Sequence, residues 1–393
     1  MKSRGIKVYK DIEKNKVVKI KRPLSFKFSF DYGPRVDAIG NDRNQKAILK
    51  FKEKGSTSYS YSGETSPGLF TTLFRKWYTP WVVEAFEDGE KIWEYDLEEN
   101  LYGAKICVSL DSSSLGDTLA WLPVVDEFRK KYQADLYATT FWNPLVAHMF
   151  PEIRFSHPGY RDPNTVATFG VGWYEEDDDN RHRRDPRSVS LQQVAGDILG
   201  VDVTNDLLVP NLPTPVLNSK PSIEGKYVCI ATESTANAKH WHFPGGWQTI
   251  VDYLNSIGYK VVVIHQQANT LNNVIDKTGN IDIMDRAIDL YHADFMIGIG
   301  SGVSWLSWAL EKPVIMISGF STPSCEFSNK NYRIINQSVC NGCFNDVRHK
   351  FDRGDWNWCP RLKGTERMFE CTTRITPDMV KSKIHELITG ESL

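Results

Sequence analysis

Four cysteines near the C-terminus have the spacing of a metal site. They follow the pattern Cys-x2-Cys-x15-Cys-x11-Cys within 32 residues, at Cys340, Cys343, Cys359 and Cys371. A CxxC pair with two further thiols downstream predicts a tetrahedral thiolate site, which holds either zinc or a single iron ion. Because thiolates fill all four coordination positions, we expect this metal to be structural. The softness of sulfur does not distinguish zinc from iron.

The stretch SLDSSSLGDTLAWLP places an unusual number of small polar residues between a predicted strand and a predicted helix. The strand is predicted to end near Leu110 and the helix to begin around Asp117. Helix capping by serine and a tight turn at Gly116 account for part of this composition. A carboxylate at a helix N-terminus facing a cleft is also suited to act as a general base on a bound hydroxyl.

A second loop, ATESTANAKHWHFPGGW, supplies hydroxyls and a cation after a strand. Thr232 and Ser234 follow the strand directly, and Lys239 lies near the next helix. Together these groups fit a ligand that carries phosphate. The alternative is an ordinary surface lysine in a polar loop.

A third loop, MIGIGSGVSWLSWALEKPV, contains a Gly-Ser-Gly turn at Gly300, Ser301 and Gly302. Such a turn lets backbone N–H groups approach an anion at a helix N-terminus. The pattern is not GxGxxG followed by an acidic residue, so it does not predict NAD binding.

The elements that carry these loops divide the sequence into three predicted domains. Residues 1–103 read as a β domain, because segments such as NKVVKIKRP, LSFKFSFDYG and KAILKFKEKG alternate apolar and polar residues. Within it, the aromatic segment PGLFTTLFRKWYTPWVVEAFEDG predicts a docking surface toward another domain or subunit. Residues 104–215 and 216–393 alternate strands with helices, which predicts two Rossmann-like domains with parallel sheets, joined by a proline-rich linker. Ligands of such sheets bind at the carboxyl ends of the strands, where the three loops lie.

Composition narrows the class of protein. The net charge of −2 over 393 residues argues against a nucleic-acid partner. The sequence shows no secretory signal and no run of about 18 apolar residues, so we expect a cytoplasmic protein without a membrane span.

Three segments together resemble a known family. SSSLGDTLAWLPVVDEFRKKY, KHW followed by GGWQTIVDYL, and IGIGSGVSWLSWALEKPVI are similar to the ADP-heptose glycosyltransferases of the GT-B fold, over roughly residues 104–325. The added β domain and the four-cysteine segment narrow the resemblance to the bacterial autotransporter heptosyltransferases, which glycosylate the passenger domains of adhesins.

The resemblance implies roles for the residues of the three loops. Asp117 would be the catalytic base, with Asp111 as the second choice, and Ser114 and Gly116 would form the acceptor-side loop. The residues implied or predicted to bind the donor are Thr232, Ser234, Lys239, Gly300, Ser301, Gly302, Ser304 and Trp305. The lipopolysaccharide enzymes usually have aspartate where Gly300 stands and histidine where Trp305 stands, so the usual contacts to the donor sugar are altered here.

The expected reaction moves heptose from ADP-D-glycero-β-D-manno-heptose to serine hydroxyls of an autotransporter adhesin, with inversion. The resemblance also implies one ferric ion per subunit in the cysteine site, with zinc as the alternative, no catalytic metal, and a large homo-oligomer, a dodecamer. Two alternatives remain open: heptosyl transfer to the lipopolysaccharide core, and a non-catalytic metal-stapled module that binds adhesins.

Overall fold

A computed structural model describes residues 23–173, 181–203, 207–350 and 356–391. The predicted strand NKVVKIKRP lies outside this range except for its last residue. The chain separates into two compact units. Unit 1 contains the described part of Met1–Phe28 with Arg35–Thr71 and Val82–Tyr95, and unit 2 contains Ser29–Pro34, Thr72–Trp81 and the described part of Asp96–Leu393.

The described residues before Leu97 form strands, as their alternating pattern predicts. The strands are β1 Ser25–Asp31, β2 Pro34–Ile39, β3 Ala47–Glu53, β4 Tyr61–Thr65, β5 Phe70–Thr72, β6 Trp81–Glu87 and β7 Glu90–Asp96. In β3, the alternate residues Ala47, Leu49 and Phe51 are buried, so one face of the strand meets the core. Four of the strands form a sheet in the order β4-β3-β6-β7, in which β3 and β4 are antiparallel.

The aromatic segment that follows β4 is only partly a surface. Leu69, Phe70 and Phe74 are 55%, 57% and 79% exposed. Trp81 and Val83, by contrast, are almost fully buried in β6. The second half of the segment therefore packs as a strand, and only the first half presents apolar side chains to solvent.

Unit 2 contains a first parallel sheet that carries the loop with Asp117. Its elements are α1 Leu97–Leu101, β8 Lys105–Leu110, α2 Leu115–Tyr132, β9 Asp135–Thr139, α3 Asn143–Met149, β10 Arg154–Ser156, β11 Ala167–Val171, α4 Leu191–Leu199 and α5 Thr214–Leu217. These four strands lie in the order β10-β9-β8-β11, each pair parallel, and β11 also pairs in parallel with Phe30 and Asp31 of β1. Because Val171 of β11 is opposite Leu110 of β8, the loops after these two strands leave the same edge of the sheet.

The second parallel sheet of unit 2 carries the other two loops. Its elements are β12 Tyr227–Ala231, α6 Gly246–Ser256, β13 Lys260–Val263, β14 Ile275–Asp276, α7 Ile283–His292, β15 Met296–Ile299, α8 Gly302–Ala309, β16 Val314–Ile317, β17 Asn331–Ile334, α9 Glu370–Thr373 and α10 Pro377–Thr389. The strand order is β14-β13-β12-β15-β16-β17, and every neighbouring pair is parallel. Fully buried valines and isoleucines of these strands pack against α6 and α10.

The α/β class is therefore confirmed. The predicted boundaries at residues 103 and 215 stay predictions, because the two compact units divide the chain differently and unit 2 holds both sheets. Among the described residues, none of the helices combines the length and the apolar character that crossing a membrane requires.

Candidate active site and cysteine cluster

Asp117 lies in the first turn of α2. This helix begins two residues earlier than the sequence predicts. The helix begins at Leu115, and the hydroxyl of its N-cap residue Ser114 accepts the N–H of Asp117 at 3.3 Å. Placed there, the carboxylate is close to the positive end of the helix dipole, which favours its charged form.

The carboxylate of Asp117 is held by two side-chain donors. The Ser112 hydroxyl donates to Oδ2 at 2.6 Å, and the indole Nε1 of Trp173 donates to the same oxygen at 3.0 Å. Within the described ranges no hydrogen bond reaches Oδ1, which leaves this oxygen to accept from a ligand. Desolvation by the surrounding protein raises the pKa of Asp117, while these donors and the charge of Lys239 act in the opposite direction.

Asp111, the second candidate base, lies in different surroundings. It is exposed at the end of β8, its N–H donates to the carbonyl of Val171 at 2.8 Å, and its Oδ1 accepts the hydroxyl of Ser109 at 2.6 Å. Asp117 is therefore partly buried and acted on by Lys239, whereas Asp111 is exposed.

Lys239 is brought toward Asp117 by the loop after β12. It ends a short 3-10 helix, Asn237–Lys239, and its positive charge acts on Asp117. Thr232 and Ser234 fix the shape of the same loop: the N–H of Thr232 donates to Nδ1 of His265, and the Ser234 hydroxyl donates to the carbonyl of Ala236. The charge of the second loop thus acts on the carboxylate of the first, as the prediction of a single site requires.

The third loop leads into α8, whose N-terminus is open. The N-cap residue Ser301 makes no side-chain cap, and its buried hydroxyl has no hydrogen-bond partner among the described residues. Ser304 differs, because it is fully buried and its hydroxyl donates to the carbonyl of Ile299 at 2.7 Å. Ser301 is therefore the better placed of the two predicted hydroxyl donors for an anion.

The N-termini of α2 and α8 approach each other through glycines. A Cβ on Gly116 would lie 3.0 Å from the Trp305 ring, and one on Gly302 would lie 3.0 Å from Cβ of Leu115 and 3.2 Å from N of Gly116. Trp305 itself is 4% exposed and packs edge-on against Phe327. Glycine at both positions lets the first turn of α2, which holds Asp117, stand next to the uncapped end of α8.

A carboxylate from another element fills the space beside Gly300. A Cβ on Gly300 would lie 2.5 Å from Oε1 of Glu326. Oε2 of Glu326 accepts from Arg333 and from the Ser321 hydroxyl, and the Glu326 and Arg333 side chains are each 9% exposed. Where the lipopolysaccharide enzymes usually carry aspartate, this chain therefore places a glycine with a fixed glutamate next to it.

The four cysteines of the predicted metal site converge. Cys340, Cys343, Cys359 and Cys371 all line one small cavity. A guanidinium N–H of Arg361 donates to Sγ of Cys340 at 3.6 Å. Across the described residues, no group of three or more histidine, cysteine or acidic side chains stands in metal-ligand geometry. The prediction of a metal site therefore rests on the chemistry of the donor set.

That donor set fits a thiolate-bound ion. Burial raises the pKa of Cys343 and of Cys371 to about 12, and the neighbouring cysteines add to the effect in both cases. The Cys343 and Cys371 thiols are therefore costly to ionise by themselves, whereas a metal ion stabilises the thiolate form. The cluster is therefore compatible with the predicted zinc or iron.

Comparison with known proteins decides the family. The model of glycosyltransferase family 9 (heptosyltransferase) matches residues 211–349. An autotransporter heptosyltransferase of Citrobacter rodentium, BAHTCr, is 37% identical over 330 residues, which cover 81% of this chain and 79% of that protein. The chain belongs to the autotransporter heptosyltransferases. It is thus a glycosyltransferase, as the three sequence segments predict.

A second autotransporter heptosyltransferase, TibC of Escherichia coli, is 36% identical over 82% of this chain and 82% of its own length. A crystal structure of TibC in complex with ADP-D-β-D-heptose has a TM-score of 0.84, with 32% identity over 93% of this chain and 96% of TibC. TibC is described as dodecameric and iron-containing. The more distant BimC of Burkholderia thailandensis, an inactive autotransporter heptosyltransferase, is 27% identical over 92% of this chain and 85% of BimC.

Sequence reasoning missed two side chains of this heptosyltransferase site. Trp173 follows β11, which ends beside β8 at the edge where ligands of parallel sheets bind. Its position just after a strand is a signal that could have identified it. Glu326 carries no such signal. It lies nine residues beyond β16, and only the folded loop brings it to Gly300.

Proposed function

We propose that this heptosyltransferase moves heptose from ADP-heptose to serine hydroxyls of an autotransporter passenger domain, with inversion. The observation that carries the proposal is the position of Asp117: its carboxylate, whose Oδ1 accepts no hydrogen bond among the described residues, stands near the uncapped N-terminus of α8. The names of the relatives and the donor bound to TibC support the same assignment of donor and acceptor.

In the proposed reaction, Oδ1 of Asp117 takes the proton of the serine hydroxyl as that oxygen attacks the anomeric carbon. The new bond from the serine oxygen to the anomeric carbon forms while the bond from this carbon to the β-phosphate oxygen breaks. The raised pKa of Asp117 makes it a stronger base than an ordinary carboxylate, and two donors on Oδ2 fix its orientation.

ADP leaves with an extra negative charge. Lys239 and the backbone N–H groups at Gly302 and Val303 of α8 would stabilise this charge, because cations and helix N-termini do so without reorganising. Oε1 of Glu326 accepts no hydrogen bond among the described residues. Because the Glu326 carboxylate would repel the diphosphate, we assign this oxygen to a hydroxyl of the sugar instead. No step of this scheme uses a metal ion.

The cysteine cluster would hold the structural ion. We infer iron by similarity to TibC, with Cys340, Cys343, Cys359 and Cys371 as ligands. The ion would tie the loop around Cys340 to the helix at Cys371 and contribute to folding, as closed thiolate sites do. A dodecamer is inferred on the same basis.

The test is transfer to a passenger fragment, followed by intact mass. The wild-type chain with ADP-heptose should add heptose masses, and Asp117→Asn should lower the rate by at least about 100-fold with an unchanged melting temperature. Asp111→Asn should transfer at a rate close to wild type. Full transfer by Asp117→Asn would remove the assignment of the base. Passenger binding without any mass change would instead favour a non-catalytic module.

A further inference from the structure

Trp173 connects the proposed base to the cysteine-rich segment. On one side its indole Nε1 donates to Oδ2 of Asp117 at 3.0 Å. On the other side its ring meets the edge of Phe344, with centroids 5.7 Å apart and an interplanar angle of 83°. Phe344 is the residue next to Cys343, so a single indole touches both the base and the neighbour of a predicted metal ligand.

Phe344 is itself firmly held. Its N–H donates to the carbonyl of Phe320 at 3.0 Å, and its ring packs against Phe320 at 5.7 Å and Trp356 at 6.3 Å. Phe320 and Trp356 are both 4% exposed and belong to the same apolar cluster as Cys343 and Cys359. The ring that meets Trp173 is thus part of the core built around the thiols.

A buried arginine fastens the same segment a second time. Arg187 is 2% exposed, and its guanidinium donates to the carbonyls of His349 at 2.6 Å and Val347 at 3.3 Å. Asn345 returns a hydrogen bond from its side-chain amide to the carbonyl of Arg187 at 2.7 Å. Hydrogen bonds from charged donors are among the stronger ones, so residues 345–349 have little freedom to move relative to Arg187.

We propose that Trp173 is a positioning residue for Asp117, and that the cysteine-rich segment sets its place through Phe344. The inference rests on the proposed function, in which Asp117 is the base. The indole N–H fixes Oδ2, so that Oδ1 faces the incoming hydroxyl. A change in the packing of the thiol cluster reaches the base through two aromatic contacts, although none of the cysteines touches it.

The test compares the same substitution at two neighbouring tryptophans. Trp173→Phe keeps an aromatic ring against Phe344 but removes the donor to Asp117. Trp121, whose ring centroid is 6.4 Å from that of Trp173, donates instead to the carbonyl of Leu191 at 2.9 Å and makes no hydrogen bond to Asp117. Trp121→Phe is therefore a control for the loss of a buried indole hydrogen bond.

Trp173→Phe should lower kcat about tenfold, with little change in KM for ADP-heptose. It should also move the acidic limb of the pH–rate profile upward by about one unit, because loss of a donor destabilises the charged carboxylate. Ser112, Ser114 and Lys239, the other groups that act on Asp117, are left in place. Trp121→Phe should lower the melting temperature without moving that limb.

Phe344→Leu tests the second contact. It should move the limb in the same direction by a smaller amount, with the metal content of the purified protein unchanged by elemental analysis. A readout without turnover is the pH titration of indole fluorescence, in which the wild-type chain should show a transition that both Asp117→Asn and Trp173→Phe remove.

An unchanged acidic limb in Trp173→Phe would overturn this inference even if Asp117→Asn is inactive. Full activity of Asp117→Asn would instead overturn the proposed base, so the two failures are distinguishable. A shift of equal size in Trp121→Phe would show that loosened packing, and not the hydrogen bond to Asp117, moves the limb.

Discussion

The helices α2 and α8 begin in the same way along the chain but differ at their first turns. Each follows a parallel strand and has a serine N-cap, Ser114 in α2 and Ser301 in α8. In α2 the serine caps the helix and Asp117 occupies the first turn, whereas α8 has neither a side-chain cap nor an acid there. The positive end of the α2 dipole thus acts on Asp117, whereas that of α8 faces no acid of its own first turn, which suits an anionic ligand.

This difference divides the proposed reaction between the two helices. A base needs a carboxylate that is held in place and kept from binding the leaving group, and α2 provides both. A leaving diphosphate needs donors that the protein does not itself use, and α8 has no side-chain cap and no acid in its first turn. The glycines at the contact allow the two environments to stand side by side.

Among the variants that test this comparison, Lys239→Gln should have the largest effect. It removes the cation that acts on Asp117 and that we propose to stabilise the leaving diphosphate. We expect kcat/KM for ADP-heptose to fall about 100-fold, because the leaving charge loses its stabilising partner. The pKa of Asp117 should rise, since Lys239 lowers it, and the acidic limb of the pH–rate profile should move to higher pH.

Lys260→Gln is the matched control. Lys260 is exposed, and its ammonium donates to the carbonyl of Glu224 at 2.8 Å, away from the three loops. Its substitution should leave both the rate and the pH profile as they are. Equal rates for Lys239→Gln and Lys260→Gln would show that the cation plays no part in the site.

The pattern of the sequence predicts much of this arrangement but not the contacts between distant segments. The strand was predicted to end near Leu110, and β8 ends there, because an apolar run followed by small polar residues is a local signal. The role of Trp173 depends on the pairing of β11 with β8, which joins residues about 60 positions apart. Glu326 reaches Gly300 only through tertiary folding, which no local pattern encodes.

The aromatic segment after β4 shows a second limit of sequence patterns, because its composition does not tell which of its side chains are buried. Its composition predicts a docking surface, yet Trp81 and Val83 are buried in β6. A run rich in aromatic and β-branched residues fits a buried strand as well as an interface, and the period alone does not separate the two.

An intermediate effect is expected from closing the glycine contact. In Gly302→Ala the new Cβ would lie 3.2 Å from the backbone N of Gly116, which cannot rotate away. We expect the free energy of unfolding to fall by about 1–3 kcal/mol and kcat to fall with it, because the base and the α8 N-terminus are pushed apart. Chemical denaturation and single-turnover rates measure the two effects.

Gly116→Ala sharpens the result. Its Cβ would meet the side chain of Trp305 at 3.0 Å and the backbone of Gly302 only at 3.5 Å, so its cost should be smaller. The double variant should cost less than the sum of the two, since both substitutions open the same contact. Strict additivity would mean that the two glycines do not share an interface.

The smallest effect separates the two serines of the α8 loop and tests its openness directly. The Ser301 hydroxyl is buried without a described partner, and a buried unsatisfied hydroxyl costs about 1–3 kcal/mol. Ser301→Ala should therefore keep or raise the melting temperature while weakening ADP binding about threefold to tenfold, as measured by calorimetry. Ser304→Ala should do the reverse, because Ser304 is fully buried and its hydroxyl already donates to the carbonyl of Ile299. A loss of stability in Ser301→Ala with unchanged ADP binding would show that Ser301 caps α8 as Ser114 caps α2. The proposed division of roles between the two helices would then be wrong.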